Sequence, residues 1–110
     1  MIRHSLIVLI GVTALLGSVA QAAQPSFKCG KGLHEVEALI CQDAELARLD
    51  NDLASLYKTL LKNTPQAQQR ALKAEQSGWV KGRNDCWKAD DKKACIRGEY
   101  ESRINALKDR

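Results

Sequence analysis

Four cysteines are the residues of this sequence with the clearest chemical potential. Eleven residues separate Cys29 from Cys41, and eight separate Cys86 from Cys95. An even number of cysteines in a small secreted domain predicts disulfides, whereas a zinc site typically needs cysteines about two to four residues apart. Because no pair has the zinc spacing, we predict two disulfides and no metal.

Several pairings are open to four cysteines. Short loops close at a lower entropic cost than long ones, which favours Cys29–Cys41 with Cys86–Cys95. Each such loop would stabilise the fold by about 3 kcal/mol. The alternative is Cys41–Cys86 with Cys29–Cys95, because an antiparallel helical hairpin would bring Cys41 level with Cys86.

Catalytic groups are scarce in the sequence. After residue 22 the only histidine is His34, and there is neither a Gly-rich phosphate loop nor a Ser-His-Asp grouping. The carboxylates follow ordinary helical spacing, and no Cys-x-x-Cys pair indicates disulfide exchange. We therefore expect a protein that is not an enzyme and needs no cofactor.

Residues 1–22 have the pattern of a secretory signal peptide. Arg3 supplies a positive charge, Leu6–Leu16 is mostly apolar, and Ala20-Gln21-Ala22 fits the small-x-small cleavage rule. The apolar run is shorter than the about 20 residues that a membrane span needs, and no lipid-attachment cysteine follows it. We expect cleavage after Ala22 and a soluble, unanchored bacterial protein, periplasmic or secreted.

The remaining chain, residues 23–110, is expected to form a single domain. Its formal charge is +3, with acidic and basic residues mixed throughout. So mild a charge outside the cytosol does not favour nucleic acid as a partner. A protein partner is the class that remains, and the sequence leaves the oligomeric state open.

Hydrophobic periodicity predicts an all-α fold. The predicted helices are a short N-terminal one at 34–40, a second from Asp43 to about Lys62, a third from about Pro65 to Trp87, and a C-terminal one after the polar turn 88–92. Because the short turn 63–66 joins the two long helices, they should form an antiparallel hairpin.

Side chains that can accept hydrogen bonds from free N–H groups mark the helix starts. Asp43 can cap the second helix, and Asp90 or Asp91 the last. Thr64 is expected to cap the third helix, with Pro65 at its first position, where a missing N–H costs nothing.

Two charged residues lie on the predicted apolar faces of the long helices. Asp50 falls between leucines of the second helix, and Arg83 lies on the large-residue stripe of the third. A half-buried carboxylate needs a cation, so we predict an Asp50–Arg83 pair beside Trp79, with Arg103 as the competing cation.

The third helix also carries a stripe of small residues, about 120° from the stripe that contains Trp79. A glycine inside a helix costs about 1 kcal/mol relative to alanine, so this stripe needs a reason. We expect the C-terminal helix or the N-terminal segment to pack closely against it. The alternative is contact with a partner protein. The stripe consists of Ala67, Ala71, Ala74, Gly78 and Gly82.

Three stretches together resemble a known family: "EVEALICQDAELARLDNDLASLY" (35–57), "EQSGWVKGRNDC" (75–86) and "CIRGEYESRINAL" (95–107). They are similar to the LprI-type lysozyme inhibitors, small exported bacterial proteins, over about residues 27–108. The resemblance implies a four-cysteine helical fold. The matching polar and aromatic residues are best interpreted as scaffold: Asp50, Tyr57, Gln76, Trp79, Arg83, Tyr100 and Arg103.

The resemblance also implies inhibition of a peptidoglycan-cleaving lysozyme by protein–protein binding. An inhibitor of this kind must block a cleft lined with acidic catalytic groups, which requires a rigid protrusion. The candidate protrusions are the 63–68 turn and the 88–93 loop. The loop offers Lys88, Asp90, Asp91, Lys92 and Lys93 as contacts. The alternative function is a periplasmic envelope or accessory protein that binds another partner.

Overall fold

The computed structural model describes Gly11 and residues 24–110, which form an all-helical fold. Its elements are α1 (Glu35–Gln42), α2 (Ala44–Asn63), α3 (Gln66–Asn84), a short 3₁₀ helix (Asp85–Lys88) and α4 (Lys92–Lys108). No strand occurs within the described part of the chain. The all-α prediction is confirmed. The predicted signal peptide, apart from Gly11, lies outside the described residues.

The two disulfides join cysteines that are close in the chain. Cys29 is bonded to Cys41 and Cys86 to Cys95, with Cα–Cα distances of 6.0 and 5.6 Å. The predicted local pairing is therefore confirmed, and the crossed alternative is wrong. The first bond fixes the N-terminal segment to α1, and the second fixes the 3₁₀ helix to the start of α4.

Side-chain caps begin three of the helices. Asp43 Oδ1 accepts from Leu46 N (3.0 Å) at α2, and Asp91 Oδ1 accepts from Ala94 N (3.0 Å) at α4. The hydrogen bond from Leu46, helped by Lys93, lowers the pKa of Asp43. At α1, His34 Nδ1 accepts from Val36 N (3.1 Å). Each cap thus satisfies one of the backbone N–H groups that the first turn of a helix leaves free.

The turn between α2 and α3 differs from the prediction in two respects. Thr64 closes α2 rather than opening α3, because its Oγ1 donates to the carbonyl of Leu60 (2.6 Å). Pro65 stands just before α3 as the N-cap and makes no side-chain cap. Gln69 Nε2 instead reaches back to the carbonyls of Leu61 and Thr64, both at 3.2 Å.

The third helix ends earlier than predicted. The periodicity extended it to Trp87, but α3 stops at Asn84 and the chain tightens into the 3₁₀ helix. At this point the N–H of Asp85 points at the carbonyls of Lys81, Gly82 and Arg83. A tighter final turn is common at helix ends and changes the direction of the side chains that follow it.

Helix α4 packs against both α2 and α3, and the core lies between these helices. The two long helices pack on α4 more than on each other, so they do not form the closely packed hairpin that the short turn predicted. On the other side, α2 and α3 leave a cleft of about 330 Å³ between Leu53, Tyr57, Gln76 and Trp79. Residues from all four helices and the 3₁₀ helix build the core. Its fully buried members include Val36, Ile40, Leu46, Leu53, Leu72, Cys86, Ile96, Tyr100 and Leu107.

Candidate functional site

A buried polar cluster connects α2, α3 and α4. Asp50 and Arg83 are only 5% and 4% exposed. The hydroxyl of Tyr100 donates to Asp50 Oδ1 (2.7 Å) and accepts from Arg83 Nη1 (3.0 Å). The predicted direct Asp50–Arg83 contact is therefore wrong, because Tyr100 lies between the two charges. A phenol fits there because it can donate and accept at the same time.

The same carboxylate holds the N-terminal segment in place. Asp50 Oδ2 accepts from both the backbone N and the hydroxyl of Ser26, each at 2.6 Å. Burial raises the pKa of Tyr100, and Arg83 acts in the opposite direction. The phenol therefore stays neutral and keeps the proton that it donates to Asp50.

Aromatic rings surround the Arg83 guanidinium. Its Cζ lies 5.7 Å from the ring centroid of Trp79, 5.9 Å from that of Phe27 and 6.0 Å from that of Tyr100. Trp79 also donates its indole N–H to the carbonyl of Glu99 (3.2 Å). Such contacts stabilise a buried cation, and they hold Trp79 in the interior.

Arg103 does not compete for Asp50. Its Nε donates to Gln76 Oε1 (3.0 Å), and its Nη2 lies 4.0 Å from Glu75 Oε2. Burial lowers the pKa of Arg103, and Nη2 has no hydrogen-bond partner within the described residues. Tyr57 and Gln76 line the α2–α3 cleft. The seven polar and aromatic residues that were interpreted as scaffold therefore all lie around this cleft and the buried polar cluster.

The small-residue face of α3 does not pack inside the molecule. Its members Ala67, Ala71 and Ala74 are exposed, as are Gly78 and Gly82. A Cβ added at either glycine would meet nothing within 4 Å. The prediction that α4 or the N-terminal segment packs here is wrong, because α4 packs on the large-residue face of α3, against Trp79.

The 88–93 loop divides into anchored and free residues. Asp91 caps α4, Lys92 Nζ lies 2.5 Å from Glu35 Oε1, and Lys93 Nζ lies 3.3 Å from Asp43 Oδ2. These three residues hold the loop against α1 and the start of α2. Lys88 and Asp90 remain exposed at its outer end.

Trp87 is an exposed residue that the sequence pattern did not predict as a contact. The residue is 47% exposed, and among the described residues no other large hydrophobic side chain is classed as exposed. Its neighbour Cys86 is 1% exposed and is fixed to α4 by the disulfide. The one available signal was that Trp87 falls outside the stripe of large residues that ends at Cys86.

Two other surfaces are less distinctive. The 63–68 turn exposes Pro65, Gln66 and Gln68 but has neither a charge nor a large side chain. An open groove of about 680 Å³ runs between α2 and α4, with Leu56 and Ile104 among its apolar residues and Asp52 and Glu101 among its acidic ones. Within the described residues, no group of His, Cys, Asp and Glu side chains could hold a metal ion.

The fold and its surface define a small, doubly cross-linked helical domain with an exposed, disulfide-closed loop. Comparison with known families assigns this domain. The chain belongs to the family described as lysozyme inhibitor LprI, whose model matches residues 29–108.

Mycobacterial lipoproteins are among the relatives. Proteins named lipoprotein LprI, from Mycobacterium bovis and from two strains of Mycobacterium tuberculosis, are each 32% identical over 106 residues. The alignments cover 87% of this chain and 52% of each relative, so the chain spans about half the length of the curated relatives it matches. No solved structure matches the chain significantly.

Proposed function

We propose that this protein inhibits a peptidoglycan-cleaving lysozyme by binding to it and does not itself catalyse a reaction. The observation that carries the proposal is the match to the lysozyme inhibitor LprI family over residues 29–108, which includes both disulfides and all four helices. A protein partner follows from such a function.

The surface supports a binding function rather than a catalytic one. His34, the only histidine after residue 22, accepts a backbone hydrogen bond at the start of α1. The buried carboxylate of Asp50 accepts three hydrogen bonds, from Ser26 and Tyr100, and so links parts of the fold. The 88–93 loop, with Lys88 and Asp90 exposed, is our candidate for the inhibitory contact.

The proposed location is outside the cytosol, in the periplasm or in the medium. Residues 1–22 would serve as the signal peptide, cleaved after Ala22. Disulfides persist in oxidising compartments, and this chain forms two. No helix of the described residues is long and apolar enough to cross a membrane.

A second candidate function is an envelope or accessory protein with a partner other than lysozyme. The specific observation in its favour is the exposed small-residue face of α3, where Gly78 and Gly82 have open space around them. A partner's backbone could approach this face closely. In that case Gly78 and Gly82 are the partner contacts.

A lysis assay separates the two functions. Purified, oxidised residues 23–110 would be titrated against lysozymes of animal, bacterial and phage type acting on cell walls. We expect saturable inhibition of one class near a stoichiometric dose. The reduced and alkylated chain is the matched control, because it has almost the same composition without the fold. Absence of inhibition in every class, with both disulfides confirmed by mass, would favour the second function.

A further inference from the structure

The exposed tryptophan on the 3₁₀ helix is held rigidly at its base. Trp87 follows Cys86, which is buried and bonded to Cys95 on α4. The N–H of Ala89 donates to the carbonyl of Cys86 (3.0 Å), which closes the backbone around Trp87. A backbone fixed in this way loses little conformational entropy on binding, and tryptophan is prominent among residues that dominate binding energies.

An exposed cation lies beside this ring. Lys88 Nζ lies 5.6 Å from the centroid of the Trp87 ring. Its ion pair with Asp85 is long, at 3.8 Å, and both side chains are more than half exposed. Exposed pairs of this kind contribute little free energy, so Lys88 can exchange Asp85 for another carboxylate. Lys92 and Lys93 are less available, since each is paired with an acid of another segment.

We propose that Trp87 and Lys88 enter the sugar-binding cleft of the inhibited lysozyme. This inference rests on the proposed function and specifies the contact. The Trp87 ring lies where a sugar ring of the glycan binds, because both present a flat apolar face of similar size. Lys88 Nζ pairs with one of the two catalytic carboxylates that flank the scissile bond.

The shape and charge of the loop fit this partner better than the other surfaces do. A cleft is filled by a protruding element, and the α2–α4 groove is itself concave. The 63–68 turn is exposed but offers no cation for the carboxylates. The pairing is local, so the net charges of the two proteins matter little for it, because charges beyond about 8 Å are screened at physiological salt.

The test uses a lysozyme that the wild-type protein inhibits. Trp87→Ala should raise the inhibition constant about tenfold or more, and Lys88→Ala about fivefold, as expected for a central anchor and its neighbour. Lys58→Ala, an exposed lysine on α2, is the matched control and should leave the constant unchanged. A chitin trisaccharide, which occupies the sugar cleft, should compete with the wild-type protein. Circular dichroism and mass would confirm that each variant is folded and oxidised.

The outcomes distinguish this inference from the proposed function. If the wild type inhibits and Trp87→Ala inhibits equally well, the Trp87 contact is wrong while the inhibitor function stands. If Trp87→Ala no longer inhibits the lysozyme but the trisaccharide does not compete with the wild-type protein, the assignment to the sugar cleft is overturned. If the wild type inhibits no lysozyme, the proposed function itself fails, and the contact fails with it.

Discussion

At the scale of single residues, the hydroxyl of Tyr100 decides how two buried charges coexist. Asp50 and Arg83 could be identified from the sequence because charged residues on an apolar stripe are conspicuous. The hydrogen-bonded bridge through Tyr100 could not be predicted in this way. Tyr100 fits the apolar stripe of α4 between Ile96 and Ile104, and the stripe does not indicate where its hydroxyl points. The sequence therefore predicted a direct Asp50–Arg83 pair, whereas the phenol of Tyr100 lies between the two charges and bonds to both.

Removing that hydroxyl should destabilise the fold without disturbing its packing. Tyr100→Phe keeps the ring but leaves Asp50 Oδ1 without its donor and Arg83 Nη1 without its acceptor. We expect the free energy of unfolding, measured by urea denaturation, to fall by about 1–3 kcal/mol.

The chain's other tyrosine provides the control for this experiment. Tyr57 is only partly buried and lies outside the cluster, so Tyr57→Phe should change the free energy of unfolding by less than about 0.5 kcal/mol. Equal stability of the Tyr100→Phe variant and the wild type would contradict the role of the bridge.

At the scale of the elements, α3 shows what periodicity can and cannot predict. The 3.6-residue period placed Leu72, Trp79 and Arg83 on one face, and that face is the buried one. The same period grouped the small residues, but it does not say whether anything packs against them. Since α4 packs on the large-residue side, Gly78 and Gly82 face open space.

Replacing Gly78 and Gly82 with alanine should therefore stabilise the protein. Gly78→Ala with Gly82→Ala adds helix-forming residues where a Cβ meets nothing within 4 Å. We expect a gain of about 1–2 kcal/mol in the free energy of unfolding, since each exposed helix glycine costs about 1 kcal/mol relative to alanine. Thermal and urea unfolding would measure it.

Gly32→Ala is the opposite case and serves as the control. Gly32 has a positive φ of 80°, which alanine adopts only with strain, so this variant should lose about 1 kcal/mol or more. A loss of stability in the Gly78/Gly82 variant would show that the face is packed after all. Loss of partner binding in a stabilised variant would instead identify the face as a contact surface.

At the scale of the whole molecule, local cross-links supplement a small core. The disulfides join cysteines that are 12 and 9 residues apart in the chain. Exposed ion pairs also join Arg97 to Glu45 on α2 and Arg110 to Glu75 on α3. A domain of this size buries limited apolar surface, so cross-links carry a large share of its stability. Their pairing could be favoured from the sequence because the entropic cost of closing a loop rises with chain separation. The exposure of Trp87 could not be predicted, because it depends on where α3 tightens.

Reduction of the disulfides should therefore unfold the protein under mild conditions. Two loops of this length contribute about 6 kcal/mol together, against a typical total of about 5–15 kcal/mol. We expect the reduced, alkylated chain to lose most of its helical circular dichroism at 37 °C. Cys29→Ser with Cys41→Ser keeps the second bond and should melt at an intermediate temperature. A reduced chain that melts where the oxidised chain does would contradict this account.

The order of the cysteines along the chain has a consequence for biogenesis. In a chain exported as proposed here, Cys29 and Cys41 leave the membrane first, while Cys86 and Cys95 are still behind it. An oxidant in the new compartment then meets one pair of thiols at a time, and in each pair the partner within reach is the correct one. Vectorial emergence would thus make wrong pairings rare. The protein should mature with an oxidase alone, without an isomerase to repair crossed bonds.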